Sequence, residues 1–446
     1  MARPLQSSLP TMLRAGSVPY DPLGRHTGVA RKKSMETDMN AIPIRLSRDL
    51  LRTGAALLLG AAAVFAAHAQ KQYDPGATDT SIKIGHIVPY SGPVSAYGTI
   101  GKTASAWFAK VNAEGGINGR KVDFISLDDA YTPSKTVEQA RKLVEQDEVL
   151  LLFGSLGTAH NMAIRRYMNA KKVPQLFVAT GATRFGDPKG FPWTMGWQPT
   201  YQTEGLIYAQ HILKNKPGAK IAILMQNDDF GKDFLKGFLD GLGDKATNMV
   251  VAQASYEVTD PTVDSQMVNL KASGADTFFN ISTPKFAAQA IRKAADIGWK
   301  PTHYLSSVSA SVTSVIKPAG PENAVGVISA IYSRDPSDPM WKGVKEFEDY
   351  KAFMTKYYPA GDVGDSLNVT GYSSAQTLEY VLRKAGDNLT RENIMKIAAN
   401  MSFTLPMLYP GIDIKTSPDD FHPLERMQTV RFDGTRFEPF GPVQGQ

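Results

Sequence analysis

Cysteine is absent from the 446-residue chain. Its absence excludes disulfides, thiolate metal sites, a catalytic thiol and a lipid-anchored N-terminal cysteine. Histidine is scarce, at seven residues. None of the seven stands in a His-x-x-x-His or Glu-x-x-His spacing, so no helix offers paired metal ligands. The Walker loop, the Gly-x-Gly-x-x-Gly turn and the Gly-x-Ser-x-Gly elbow are missing too, which removes the common phosphate cradles and the hydrolase nucleophile. The apolar run at 53–67 falls short of the roughly 20 residues that a membrane-spanning helix needs.

What is present is a soluble globular balance, with 42% hydrophobic and 21% charged residues. The net charge of +6 is unevenly placed. Residues 1–69 hold nine Arg and Lys against four Asp and Glu, so the remainder is nearly neutral. A basic excess confined to the leader gives no support to a nucleic-acid partner. Arg45, Arg48 and Arg52 precede the apolar run, and Ala67-His68-Ala69 follows it. A basic stretch, a short apolar run and a small-x-small end make a secretory signal peptide, with cleavage expected after Ala69. Residues 1–34 fit no n-region, so Met35 or Met39 competes with Met1 as the start.

Beyond the leader, short β-branched runs alternate with amphipathic segments. The strands read 82–88, 122–127, 149–153 and 173–178 in one run, and 220–225, 249–256, 277–281, 303–305 and 325–331 in a second. Several are almost wholly apolar, as strands covered by helices on both faces should be. Ile100, Ala104, Trp107 and Val111 form a helical stripe within 97–112. Thr132-Pro133 and Thr283-Pro284 each open a helix with a capping hydroxyl and an N1 proline. Alternating strands and helices predict an α/β chain with parallel sheets and right-handed crossovers. Helices at 340–357, 368–384 and 391–401 are expected to complete the first lobe. A strand pair at 427–432 and 436–440 is expected to complete the second. The expected division is 81–200 with 333–403 for the first lobe and 204–329 with 404–446 for the second.

Ligands of open parallel sheets bind beyond the carboxyl ends of the strands. There the chain places Pro89–Gly98, Gly154–Thr158 and Ala179–Thr183, all rich in Gly, Ser and Thr. Exposed amides, hydroxyls and helix N-termini in such loops suit a carboxylate. The second run offers Asp228 and Asp229, Ser282 and Thr283, and 306–309. Asp228 and Asp229 either pair with a ligand ammonium or cap the next helix. Tyr97 and Phe230 either cover a ligand's apolar part or pack in the core. His160 is read as a solvent-facing helix residue.

Several segments together resemble one family. They are Ile82-Lys-Ile-Gly-His-Ile-Val-Pro-Tyr-Ser-Gly-Pro93, Asn112-Ala-Glu-Gly-Gly-Ile-Asn-Gly-Arg120, Asp128-Asp-Ala130, Gly181-Ala-Thr183 and Asp229-Phe-Gly231. They are similar to the branched-chain amino-acid (Leu/Ile/Val) binding proteins of ABC importers, from about residue 80 to the end. The resemblance implies a type I periplasmic binding protein, with two Rossmann-like lobes joined by a multi-strand hinge. It implies a monomeric, non-enzymatic protein without cofactor or metal, in the periplasm, that hands a small carboxylate ligand, an amino acid or an aromatic acid, to an inner-membrane permease. A periplasmic sensor feeding a signalling receptor is the alternative.

By the same resemblance, Thr158 and the loop Thr180, Gly181, Ala182 and Thr183 hold the ligand carboxylate. Tyr97 covers the ligand side chain, and Phe230 closes from the other lobe. The family's amine-binding glutamate is replaced near Val308, and a second aromatic by Ser282 or Thr283. An unpaired buried ammonium is costly. Unless Asp228 substitutes, the departure favours a ligand without an amine. Phe191-Pro-Trp-Thr-Met-Gly-Trp197 and Pro284-Lys-Phe-Ala-Ala-Gln289 are similar to a branch of the family that binds aromatic acids.

Overall fold

The computed structural model describes residues 71–445. The expected signal peptide, its cleavage site and the alternative starts lie outside that range. The chain from residue 71 builds two sheets, each flanked by helices. In the five-stranded sheet, Ser81–Val88 runs parallel to Lys121–Asp128 over eight pairs, from Ser81 opposite Lys121 to Val88 opposite Asp128. Leu151–Phe153, Gln175–Val178 and Thr194–Gly196 follow in parallel on the other side. The last strand was not expected from the sequence. Its three residues carry too little pattern to stand out among the prolines and aromatics around it.

In the seven-stranded sheet the parallel part runs Ile328–Ile331, Thr302–Leu305, Thr277–Ile281, Ile221–Gln226 and Val250–Tyr256. Arg426–Phe432 adds to Ile328–Ile331 antiparallel, and Phe437–Gly445 forms the edge. The Asp433-Gly434 turn makes that hairpin, and Asp433 accepts the Thr435 and Arg436 amides at 2.7 and 2.9 Å.

The Glu114–Arg120 motif has a backbone reason. It ends the helix Gly98–Ala113 and turns the chain into the strand Lys121–Asp128. Gly115, Gly116, Asn118 and Gly119 have φ of +98°, +78°, +51° and +81°. A Cβ on Gly116 would strike the Arg120 carbonyl, so glycine is required there.

The helices Lys345–Tyr357 and Ser366–Ala385 share one core with the five-stranded sheet. Trp107 meets Tyr372 edge-on at 4.9 Å and Phe353 at 5.4 Å. Such burial of aromatics contributes about 2–3 kcal/mol per side chain before the opposing entropy. Leu405, Met407, Leu408, Ile412, Ile414, Phe421 and Leu424 join that same core. The segment 404–424, expected with the second lobe, therefore packs with the first. The second sheet has its own cores, around Phe234, Phe238 and Phe279 on one face and Phe278 and Phe286 on the other. No helix among the described residues is long and apolar enough to cross a membrane.

Candidate ligand-binding site

A cavity of about 840 Å³, counting the part open to solvent, lies between the two sheets. Its walls come from segments that follow strands. Gly157 and Thr158 follow Leu151–Phe153, Phe230 follows Ile221–Gln226, and Thr283 follows Thr277–Ile281. Val308 follows Thr302–Leu305, and Tyr332 follows Ile328–Ile331. The carboxyl ends of both sheets thus face one space, as parallel strand edges do at ligand sites.

Five of the residues singled out by sequence line it: Tyr97, Thr158, Phe230, Thr283 and Val308. Tyr97 sits on the turn Ser95–Tyr97, and its hydroxyl donates to the Val308 carbonyl of the other lobe at 3.1 Å. Thr158 is the first residue of the helix Thr158–Lys171. Its Oγ1 lies 2.7 Å from Thr180 Oγ1, which in turn is 3.3 Å from the Tyr201 hydroxyl. Phe230 meets Tyr201 edge-on at 5.0 Å. Thr283 precedes Pro284 but does not cap its helix by side chain. Its hydroxyl instead faces Gln226 Oε1 and the Tyr256 hydroxyl, each at 3.3 Å.

The other expected residues lie outside the lining. Tyr201 screens the loop after Gln175–Val178. Its amide donates to the Gly181 carbonyl at 2.7 Å, and its ring occupies the place a Gly181 side chain would take. Ala182 donates its amide to Thr180 Oγ1 at 3.2 Å. Thr183 donates its amide and hydroxyl to Asp233 Oδ2 at 2.8 and 3.1 Å. A carboxylate of the second lobe thus stands on the donors that the resemblance gave to a ligand. Asp228 caps the helix Asp229–Leu242, accepting the Phe230 and Gly231 amides at 3.0 and 3.2 Å. Of its two readings, the cap is the one the structure shows. His160 is buried, not solvent-facing, and its ring lies 4.1 Å from that of Tyr131, tilted by 40°.

Sequence reasoning missed Tyr131, Tyr201 and Gln198, because the short strand before the last two went unrecognised. It also missed Ser366 and Thr370, which reach the cavity from a helix late in the chain. A tyrosine directly after Asp128-Asp-Ala130 was the available signal for the first.

The electrostatics follow from what the walls lack. Among the described residues, no Asp, Glu, Lys, Arg or His lines the cavity. Burial pushes the Tyr97, Tyr131 and Tyr201 hydroxyls above their ordinary pKa, so all three stay protonated donors. Two helix N-termini open on the space without acidic compensation. The helix Thr158–Lys171 starts from Gly157, and Pro284–Asp296 from Thr283, and neither has an acid in its first turn. By contrast, Asp228 and Asp365 cap the helices Asp229–Leu242 and Ser366–Ala385. Uncapped helix starts and hydroxyl donors favour a negative head group.

Carboxyls do stand behind the wall, but they are engaged. Glu204 accepts the Ser307 amide and the Tyr208 hydroxyl, both at 2.6 Å, and the Ser307 hydroxyl at 2.5 Å. Its burial raises the carboxyl to about 7. Asp365 accepts the Ser311 and Ser314 hydroxyls at 3.0 and 2.7 Å. Among the described residues no cluster of three or more potential ligands would hold a metal ion.

Two α/β lobes around a hydroxyl-lined cavity define a ligand-binding protein of the hinged type. The chain belongs to the family described as "Periplasmic binding protein", whose sequence profile matches residues 81–436. It is similar to proteins named for binding Leu, Ile and Val. The "Leu/Ile/Val-binding protein homolog 7" of Brucella suis biovar 1 is 25% identical over 350 residues, 74% of this chain and 80% of that one. Solved structures share the fold. A branched-chain amino-acid ABC transporter protein from Thermus thermophilus with bound valine superposes with a TM-score of 0.75 at 16% identity. That match covers 83% of this chain and 98% of the other. A solute-binding protein from R. palustris in complex with 4-hydroxybenzoate gives 0.69 at 18% identity, covering 82% and 97%.

Proposed function

We propose that the protein is the extracytoplasmic solute-binding subunit of an ABC importer, and that its ligand is a small organic carboxylate without an ammonium group. One observation carries this reading. The uncapped start of the helix at Gly157–Thr158 opens on a cavity lined by no charged side chain among the described residues. A carboxylate gains amides, hydroxyls and a helix field there. An α-amino acid would bury its ammonium against neutral walls.

The head group binds Thr158 and the Tyr201 hydroxyl, and the apolar body lies among Tyr97, Phe230 and Val308. The first lobe comprises 81–200 with 333–425, the second 204–329 with 426–446. Binding stabilises the closed form through contacts made only there, and the closed monomer docks on a permease. The leader is removed in the periplasm, and the ligand leaves unaltered. Structures with bound valine and with bound 4-hydroxybenzoate bracket the choice of ligand in proteins of this fold.

The test is a thermal-shift screen of aryl and aliphatic acids against α-amino acids, followed by recovery of bound ligand after denaturation. A ligand at a hundred times its Kd stabilises by about 2.7 kcal/mol. The reading expects shifts with amine-free acids and unchanged ligand on recovery. Shifts confined to amino acids, or recovery of a converted product, contradict it.

A further inference from the structure

His160 is a buried group beside the site to which the proposed function gives no task. It is the third residue of the helix Thr158–Lys171 and only 2% exposed. Neither ring nitrogen has a hydrogen-bond partner among the described residues. Buried polar atoms left in that state need a reason. The ring reaches back over the start of its own helix, where a Cβ on Gly157 would strike Nδ1. Gly157 lines the cavity, and so does Tyr131, whose ring packs against the imidazole. An unpartnered imidazole thus backs the cavity wall at two points, beside the helix start assigned to the head group.

The charged and titratable groups that act on the ring come from both lobes. Asp129 and Tyr131 face it from the turn after the strand Lys121–Asp128, and Asp228 from the start of the helix Asp229–Leu242. Both carboxyls are already engaged. Asp129 accepts the Tyr131 amide at 2.9 Å and the Thr136 hydroxyl at 2.7 Å. Asp228 accepts the Gln226 side-chain amide at 2.6 Å besides its cap. The two carboxyls draw a proton to the ring, and so does the Tyr131 backbone, although it lies outside hydrogen-bond geometry. Burial outweighs them and holds the imidazole below its ordinary 6.5. The positive end of the helix acts in the same sense as burial. The free ring is therefore neutral at pH 7. A carboxylate seated at Gly157–Thr158 changes that balance, because it offsets the helix end and puts a further negative charge beside the ring.

We propose that His160 takes up a proton when the ligand carboxylate binds, and that the imidazolium so formed holds the head group and draws Asp228 of the second lobe toward the first. This rests on the carboxylate reading above and adds proton-linked capture as its regulation. Ligand and proton raise each other's affinity by the same factor. Affinity is therefore highest below the pKa of the free ring, and it is lost as pH rises through the higher pKa of the complex.

Calorimetry with benzoate, cinnamate and 4-methylpentanoate, in paired buffers of different ionisation enthalpy, tests it. The tightest binder of the three is expected to bring a fraction of a proton with it at about pH 6 to 7. Its affinity is expected to fall by about threefold or more from about pH 5.5 to about pH 8. In His160→Gln and His160→Phe both the uptake and the slope disappear. Should neither variant fold or bind, the ring carbon shifts of His160 in the wild-type protein decide, moving toward the imidazolium position when the acid is added. A wild-type titration without uptake overturns the proposal and leaves the carboxylate reading standing. So does an uptake that survives in His160→Gln, since the proton then goes to Asp228 or Asp129. Binding of none of the three acids overturns both.

Discussion

Thr158 and Tyr201 are where the account is most exposed to test. Their hydroxyls are linked through Thr180 and stand at an uncompensated helix start. Thr158→Ala combined with Tyr201→Phe is expected to weaken ligand binding by more than 1.4 kcal/mol, or about tenfold, in calorimetry. Unchanged affinity places the head group elsewhere. Glu204 gives a test of stability. Burial holds its carboxyl at about 7 against an ordinary 4.5, so the folded chain binds the proton more tightly than the unfolded chain does. Stability therefore falls as pH rises from about 4.5 to about 7 and levels off above. The loss is on the order of 3 kcal/mol, and Asp335, raised to about 6, adds to the same slope. Thermal unfolding at stepped pH checks it, and Glu204→Gln is expected to flatten the curve. At this scale the sequence was half legible. Tyr97, Phe230 and Thr283, which line the cavity, could be picked out because they follow recognisable strands. Asp228 was ambiguous because one spacing serves a cap and an ammonium partner equally. Tyr201 was hidden because its preceding strand has three residues and no period.

Among the elements, the helix Asp229–Leu242 has a role beyond carrying Phe230. Asp233 ties it to the Thr183 loop of the other lobe, while Gln202 donates to the free Asp233 oxygen at 2.7 Å. Tyr97 to Val308, and Asp365 to Ser311 and Ser314, are further ties across the cavity. Asp233→Ala is expected to shift the ligand-free protein toward the open form, seen as a larger radius of gyration in small-angle scattering. An unchanged profile denies the tie any share in closure. The turn at 114–120 predicts a second outcome. Gly116→Ala forces a Cβ against the Arg120 carbonyl at φ +78°, with a cost of about 1–3 kcal/mol in denaturant unfolding. That turn was legible as a motif, and its reason became visible only in the backbone. The ties were not legible, because a pattern along one chain does not say which loops of two lobes will meet.

For the whole molecule, alternation of strands and helices was enough to predict two parallel sheets, because crossover geometry leaves few topologies. The strand pair of the tail was read from its two short runs, and the structure pairs them antiparallel. The allotment of 404–424 was not, since its apolar residues have neither helical nor strand period and their core is fixed only in three dimensions. The central claim concerns the molecule entire: two lobes close over a negative head group that has no positive companion. Calorimetric titration of the mature protein with carboxylic acids and their α-amino counterparts, at one pH and salt, measures that claim most directly. The account predicts that the amine-free acid binds at least about tenfold more tightly than its amino counterpart. Equal or tighter binding of the amino acid would contradict it.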